Sequence, residues 1–378
     1  WWMVFSLLAL VLIYGGLVRA RRSWNPFASP QPAWGPTFAG DTAGLEHTQV
    51  VPTLDTPIEE GKNAVWCATF QMAWKQLQNG LLGEPVNVRD AEAVCARLNG
   101  ASDPAGDLPA DAYYAKAGME NEGAIATIRQ DMARLFPEKE PPTFPGIMPG
   151  SFLMYAYLAT RVPFPIPYFD AREPLAFPDG AGGTAPVHSF GIRDEDGDRY
   201  EHLRDQVEVL FVHREDPFGK ADAFAVDLCR DSAPNQIVVA RIEREETLGT
   251  TLDALKQRIA AQAEESEHPL HFGGSDVLLV PDMCWRLEHH FLELEGSPFA
   301  NPALAAQSMD LALQEIAFRL DRSGAELWSE AHAHWASPPP VDLVADRPFL
   351  VYVKRRRAAQ PFLVLWIENA ELLRPWQD

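Results

Sequence analysis

Two apolar runs near the end of the chain constrain its fold most: Phe349–Val353 and Phe362–Ile367, separated by the cations Lys354, Arg355, Arg356 and Arg357. Neither run alternates polar with apolar residues, so a strand made from either needs cover on both faces. Paired as adjacent strands, they require the rest of the chain to supply a layered core. The cationic connection then lies at the surface. Two readings of that tip are open. A charged turn guards sheet edges without any ligand. The same four residues are also candidates for contact with anionic lipid headgroups or an acidic partner.

The chain can supply such a core. Its 378 residues are 47% hydrophobic and 22% charged, enough for one large domain or two ordinary ones. The 53 acidic against 32 basic residues leave a net charge of -21 and exclude sequence-independent nucleic-acid binding, which needs cations facing phosphates. Cys67, Cys95, Cys229 and Cys284 are widely spaced and form neither a CxxC pair nor a zinc pattern. Cys67 and Cys284 lie in apolar runs, where a free thiol behaves as a small hydrophobe. The set therefore leans towards buried free thiols in a reducing compartment.

The N-terminus points to a membrane. Trp1 to Val18 carries no charge and then meets Arg19, Arg21 and Arg22. Eighteen helical residues rise about 27 Å, close to the roughly 30 Å of a bilayer's hydrocarbon. Trp1 and Trp2 suit one interface and the arginines the other. A signal peptide is the rival reading, with a poor cleavage site at Val18-Arg19-Ala20. The expectation is a single-pass anchor over residues 1–22, with the large domain cytoplasmic by the positive-inside rule. Residues upstream of Trp1 would be able to reverse that orientation. Residues 23–60, rich in proline, glycine and isolated aromatics such as Trp24 and Trp34, are expected to form an extended tether. Those aromatics are candidates for packing on a partner or on the globular part, residues 61–378.

Within the globular part, Ala64–Gln78 ("AVWCATFQMAWKQLQ"), Ala124–Phe136 and Leu248–Glu265 have helical spacing, while Ser151–Val162 is an aromatic, β-favouring run. "VEVLFVH", "QIVVARIE", "DVLLVPD" and "LALQEIAFRLD" are further strand candidates. Helices early and strands later indicate an α+β fold rather than a doubly wound sheet.

Motifs that carry chemistry are missing. No glycine-rich phosphate loop, GxSxG elbow, HExxH helix or CxxCH haem site occurs. His332 and His334 have strand spacing for two ligands, but no third ligand can be named. Asp194–Asp198 resembles the start of a calcium loop without its closing glutamate, and an acidic turn explains it better. No catalytic residue, metal, cofactor or small-molecule substrate is predicted.

Several ordered segments carry a family resemblance. "RPFLVYV…QPFLVLWIEN" resembles the C-terminal strand pair of the serpins, with its RPFLFxI-type signature. "VLLVPDMCWRLEHHFLELEGSPFANP" is similar to the serpin pattern in which a strand ending LPKF leads to a helix. "QEIAFRLDRSGAEL" resembles the strand entering the serpin hinge. "SFLMYAYLATRVPFPIPYFD" and "NAVWCATFQMAW" are similar to an earlier strand and to the first core helix. The resemblance covers about Asn63 to Ile367, and its order matches throughout.

It implies a serpin-like fold, mixed and antiparallel sheets with surrounding helices, and a reactive-loop equivalent from Gly324 to Arg347. In serpins that loop, once cleaved, inserts as a strand into the central sheet, and small hinge residues permit it. Here the hinge reads Ala325, Glu326, Leu327, Trp328, Ser329, Glu330, and burying an unpaired glutamate costs several kcal/mol. Pro338 and Pro339 lie where a scissile bond would fall, and proline lacks the amide donor. About 70 residues separate the first helix from the Ser151 strand. The helical part is therefore expected to be reduced, and the helix over the central sheet reduced or absent. The function this implies is a non-catalytic, membrane-anchored accessory or scaffold subunit of a larger membrane complex. A respiratory or photosynthetic assembly is one example, although no cofactor ligand supports it. The alternative is a membrane-tethered protease inhibitor.

Overall fold

The computed structural model describes residues 36–377, apart from 105, 109–111, 138, 162–163, 194–197, 217–218, 231–234, 266–269, 271, 274–275 and 324–340. Its strands form three main sheets and one hairpin. The first sheet runs β1 (Phe38–Asp41), β14 (Met283–His290), β15 (Met309–Leu320), β5 (Phe152–Arg161), β4 (Tyr113–Met119). The second runs β10 (Glu208–His213), β11 (Ala223–Asp227), β12 (Asn235–Arg241), β17 (Phe349–Arg355), β18 (Leu363–Ile367), β3 (Asn63–Cys67), β2 (Thr48–Val51). The third runs β16 (Asp342–Val344), β13 (Val277–Pro281), β9 (Ser189–Ile192), β6 (Phe169–Asp170), and β7 (Leu175–Pro178) pairs with β8 (Thr184–Val187). Five α-helices accompany them among the described residues: α1 (Ala68–Lys75), α2 (Glu92–Gly100), α3 (Ala124–Leu135), α4 (Asp198–Gln206) and α5 (Leu248–Glu265).

The closing apolar runs are central strands. β17 pairs antiparallel with β18 from Phe349 opposite Ile367 to Val353 opposite Leu363, between β12 and β3. Every residue of β18 is buried, and each large apolar side chain there contributes roughly 1.5–3 kcal/mol of burial. The main core joins this sheet to the first: Phe152, Met154, Ile316 and Phe318 share one cluster with Trp66, Val351 and Leu365. α1 lies inside it with all eight residues buried, and its Trp74 Nε1 donates to Asn99 Oδ1 at 2.9 Å. A smaller core covers the other face of the first sheet, where Ile128 and Met132 of α3 pack on Leu153, Tyr155, Leu311 and Leu313.

Several expectations need correction. The run from Ala64 is not one helix: Asn63–Cys67 is β3, paired with both β18 and β2, and helix begins only at Ala68. An apolar segment buried on all sides has no period to separate strand from helix, and pairing decided it. The tether reading fails from Phe38 onward. β1 pairs in parallel with β14, β2 pairs in parallel with β3, and Phe38 packs against the main core. The helix over the central sheet is present as α3. The chain does not pass from β13 into a helix: it turns at Asp282 and returns to strand as β14. β16 occupies Asp342–Val344, in parallel with β13, so the bridge between sheets ends before Arg347. α4 was not anticipated, because in "DRYEHLRDQ" only Tyr200 and Leu203 are apolar and buried. The proposed anchor lies outside the described residues, among which no helix is long and apolar enough to cross a membrane.

Candidate functional site

The most specialised region is the seam between β15 and β5 and the joint where β15 leaves the sheet. The two strands run parallel and stay paired from Leu311 opposite Leu153 to Arg319 opposite Arg161, with one irregularity after Met309. Leu153, Tyr155, Tyr157, Leu311 and Leu313 face α3, while Met154, Ala156, Leu158, Ala312, Ile316 and Phe318 face the main core.

Each face carries a polar clamp. On the α3 side, Glu315 is buried and accepts from the Tyr155 hydroxyl at 2.9 Å. Its other oxygen pairs with Lys139 Nζ at 2.7 Å, with side-chain exposures of 12% for the lysine and 5% for the glutamate. The same ammonium lies 5.2 Å from the centre of the Tyr157 ring. Burial, reinforced by the Glu315 charge, pushes the Tyr155 hydroxyl well above its ordinary range, so it acts as a donor. On the core side, Gln314 Nε2 donates to Cys67 O at 3.1 Å and Thr69 Oγ1 at 2.9 Å, tying β15 to the start of α1.

At the joint, Asp321 follows β15 directly. Its Oδ1 accepts from Ser323 N at 2.7 Å, and its Oδ2 pairs with Arg319 Nε. Met283 stands opposite Leu320, so Asp282 lies across from Asp321. Two further parts of the chain converge here. Thr37 N donates to Cys284 O at 2.6 Å, which places the start of β1 beside the joint. Tyr168 connects the joint to the basic tip: its amide donates to Arg322 O at 3.0 Å and its hydroxyl to Leu228 O at 2.6 Å. Neighbouring Cys229 O accepts from Arg356.

That last contact revises the tip. β17 continues to Arg355, with Lys354 opposite Gln236 and Arg355 opposite Asn235. Arg356 does not face outward as a free cation. It pairs with the fully buried Asp227 at 2.7 Å. Arg355 and Arg357 remain exposed on either side. Trp1, Trp2, Arg19, Arg21, Arg22, Trp24, Trp34, Gly324, Trp328, Glu330, Pro338 and Pro339 lie outside the described residues, as do His332 and His334.

Reactive chemistry has little support. An open groove of about 850 Å³ is lined by Phe211, His213, Arg241, Arg258, Trp366 and Glu368 among others. Its polar groups answer one another: Arg241 Nη1 meets Asp346 Oδ1 at 3.1 Å, Trp366 Nε1 donates to Glu368 Oε2 at 2.5 Å, and Arg258 lies over the Phe211 ring. All four cysteines are free thiols. Burial raises each above its ordinary range, Cys67 to about 11, which suppresses the nucleophilic thiolate. His289 bonds Thr42 Oγ1 at 2.7 Å and is held neutral, its burial lowering it to about 4. No group of three or more metal-ligating side chains occurs among the described residues.

Sequence reading did not find Lys139, Tyr155, Glu315, Asp282 or Asp321. Tyr155 and Glu315 are 160 positions apart, and no local pattern marks either.

No known family profile matches the chain, and no curated protein matches it in sequence. Solved structures do. The mouse protein-Z-dependent protease inhibitor is 11% identical, covers 81% of this chain and 90% of its own, and superposes with a TM-score of 0.50. Serpin-12 of Manduca sexta is 11% identical, with coverage of 81% and 92% and a TM-score of 0.46. Serpin48 of the insect Tenebrio molitor is 10% identical, with coverage of 81% and 91% and a TM-score of 0.44. The sheets and helices described above make the architecture α+β, with helices around mixed sheets. More narrowly, the fold is serpin-like. At this identity the likeness concerns the fold alone.

Proposed function

We propose that the protein is a non-catalytic, membrane-anchored, serpin-like accessory or scaffold subunit that stabilises or organises a larger membrane protein complex. The observation that carries this reading is the clamped seam. A loop inserting between β5 and β15 would have to break their backbone ladder and separate Tyr155 from Glu315. It would also have to bury side chains from a segment containing Trp328 and Glu330. A clamped sheet suits a rigid platform better than a spring-loaded trap.

The chain's layout supports the membrane part of the proposal. It enters the fold at Thr37, beside the joint that Tyr168 connects to the basic tip. On this proposal an anchor at residues 1–22 would hold the joint near the bilayer, with the exposed Arg355 and Arg357 linked to it through Tyr168. In a chain of net charge -21 this is the pole best suited to approach anionic headgroups.

The competing reading, a membrane-tethered inhibitor, draws on the bridge from β15 to β16, which joins two different sheets. One assay separates the two. The purified protein is incubated with serine and cysteine proteases of broad specificity and run under denaturing conditions. We expect no SDS-stable covalent complex, and the appearance of one would reject the scaffold reading. Gentle detergent extraction should co-purify protein partners, and recovery of the monomer alone would count against a scaffold.

A further inference from the structure

We propose that the Asp282 and Asp321 carboxylates form a proton-operated joint at the end of β15, firm in mildly acidic conditions and loosened in mildly alkaline ones. The inference is independent of whether the protein is a scaffold or an inhibitor.

Asp282 cannot relax away from its neighbours. It forms the turn between β13 and β14 and is 2% exposed. Its amide donates to His188 O at 2.9 Å, and its carbonyl accepts from Arg374 N at 2.9 Å. Its Oδ2 accepts from Arg374 Nη1 at 3.2 Å, while Oδ1 is buried with no hydrogen-bond partner. A buried carboxylate oxygen left in that state costs free energy unless the group is protonated.

The largest of the surrounding charges, that of Asp321, acts in the same direction. From β15 and its exit come Arg319, paired with Asp321, and Arg322, paired with Asp170 of β6 at 3.0 Å. From the C-terminal segment comes Arg374. His188, which precedes β9, stacks on Trp376 at 4.5 Å, and burial, then the Arg374 charge, lowers its pKa below the ordinary imidazole value. Cys284 is raised by burial and so adds no thiolate charge. Two acidic neighbours, Asp321 and Asp170, thus oppose a charge on Asp282, and Arg374 favours one. Burial, then the charge of Asp321, raise the Asp282 acid to about 7.

The sign follows from linkage. The folded value lies above that of an unfolded aspartate, so the fold holds the extra proton. The stability contributed by Asp282 is complete below the ordinary carboxylate range and is lost as pH rises through about 7. Above that, two carboxylates face each other where Met283 meets Leu320, and the end of the β14–β15 ladder opens first.

Hydrogen exchange on the full chain tests this, read by mass spectrometry on peptides covering 283–287 and 316–323. Rates are corrected for intrinsic pH dependence and followed from about pH 5 to about pH 9. Protection is expected to fall about tenfold per pH unit from about pH 5 to about 7, where the folded carboxyl still holds its proton and the opened one does not, and to level off above about 7. Asp282→Asn should stay protected throughout. Identical pH profiles for the wild type and Asp282→Asn would overturn the joint. If that variant does not fold, the protonated-carboxyl infrared band of the wild type should titrate near 7 and shift to lower pH in Asp321→Asn. A wild type with no carboxyl titrating there would overturn it equally.

Discussion

Replacing Glu315 with alanine tests the clamp most directly. The substitution leaves the Lys139 ammonium nearly dry, at 12% exposure, with its partner gone. It also strands the Tyr155 hydroxyl, which is fully buried and donates to Glu315. Removing one partner of a buried ion pair costs about 3–5 kcal/mol. The orphaned hydroxyl alone accounts for about 1–3 kcal/mol of buried polar cost. Because these losses overlap, about 3–5 kcal/mol is expected for the variant as a whole. Urea unfolding of the purified chain, followed by tryptophan fluorescence, measures it. The companion variant Lys139→Met with Glu315→Gln removes both charges, keeps an acceptor for Tyr155, and should come within about 1 kcal/mol of wild type. If Glu315→Ala itself loses no more than about 0.5 kcal/mol, the seam is not clamped and the argument for a rigid platform falls.

Three further substitutions or measurements follow. Asn369 donates to His47 O and Gly61 O and accepts from Asn63 Nδ2 and Glu371 N, so Asn369→Ala should cost about 2–4 kcal/mol in the same unfolding assay. A Cβ on Gly191 would fall 1.7 Å from the Leu278 carbonyl oxygen, so Gly191→Ala should force β9 from β13 and cost about 3 kcal/mol or more, read as a drop in Tm. A disulfide reagent at neutral pH should react slowly with the native protein, Cys284 first because it is the least buried, and with all four thiols after unfolding.

What could be read from the sequence depended on how far each signal is local. Leu248–Glu265 keeps one apolar stripe, with Leu248, Leu252 and Leu255 buried, and appears as α5 over the span its periodicity marks. β15 and the β17–β18 pair were likewise visible as unbroken apolar or alternating runs. Asn63–Cys67 was misread because Val65 and Trp66 are buried on every side, and only their partners in β2 and β18 make them a strand. β1 was invisible for a related reason: "FAGD" becomes strand by lying along Trp285–Glu288, some 250 positions later. The clamp and the joint are pairings of distant side chains, and no spacing rule reaches them.

The strand order has a consequence for how the protein is made. β15 stands between β14 and β5, and β17 and β18 stand between β12 and β3, so the centres of both large sheets come from residues 309–367. Until those residues leave the ribosome, β5, β12 and β3 expose unpaired edges rich in valine, alanine and aromatics. Such edges are templates for association between chains. The nascent polypeptide therefore cannot close either sheet until these residues have emerged, and a stop codon within β17 or β18 should yield an aggregation-prone product rather than a smaller folded domain.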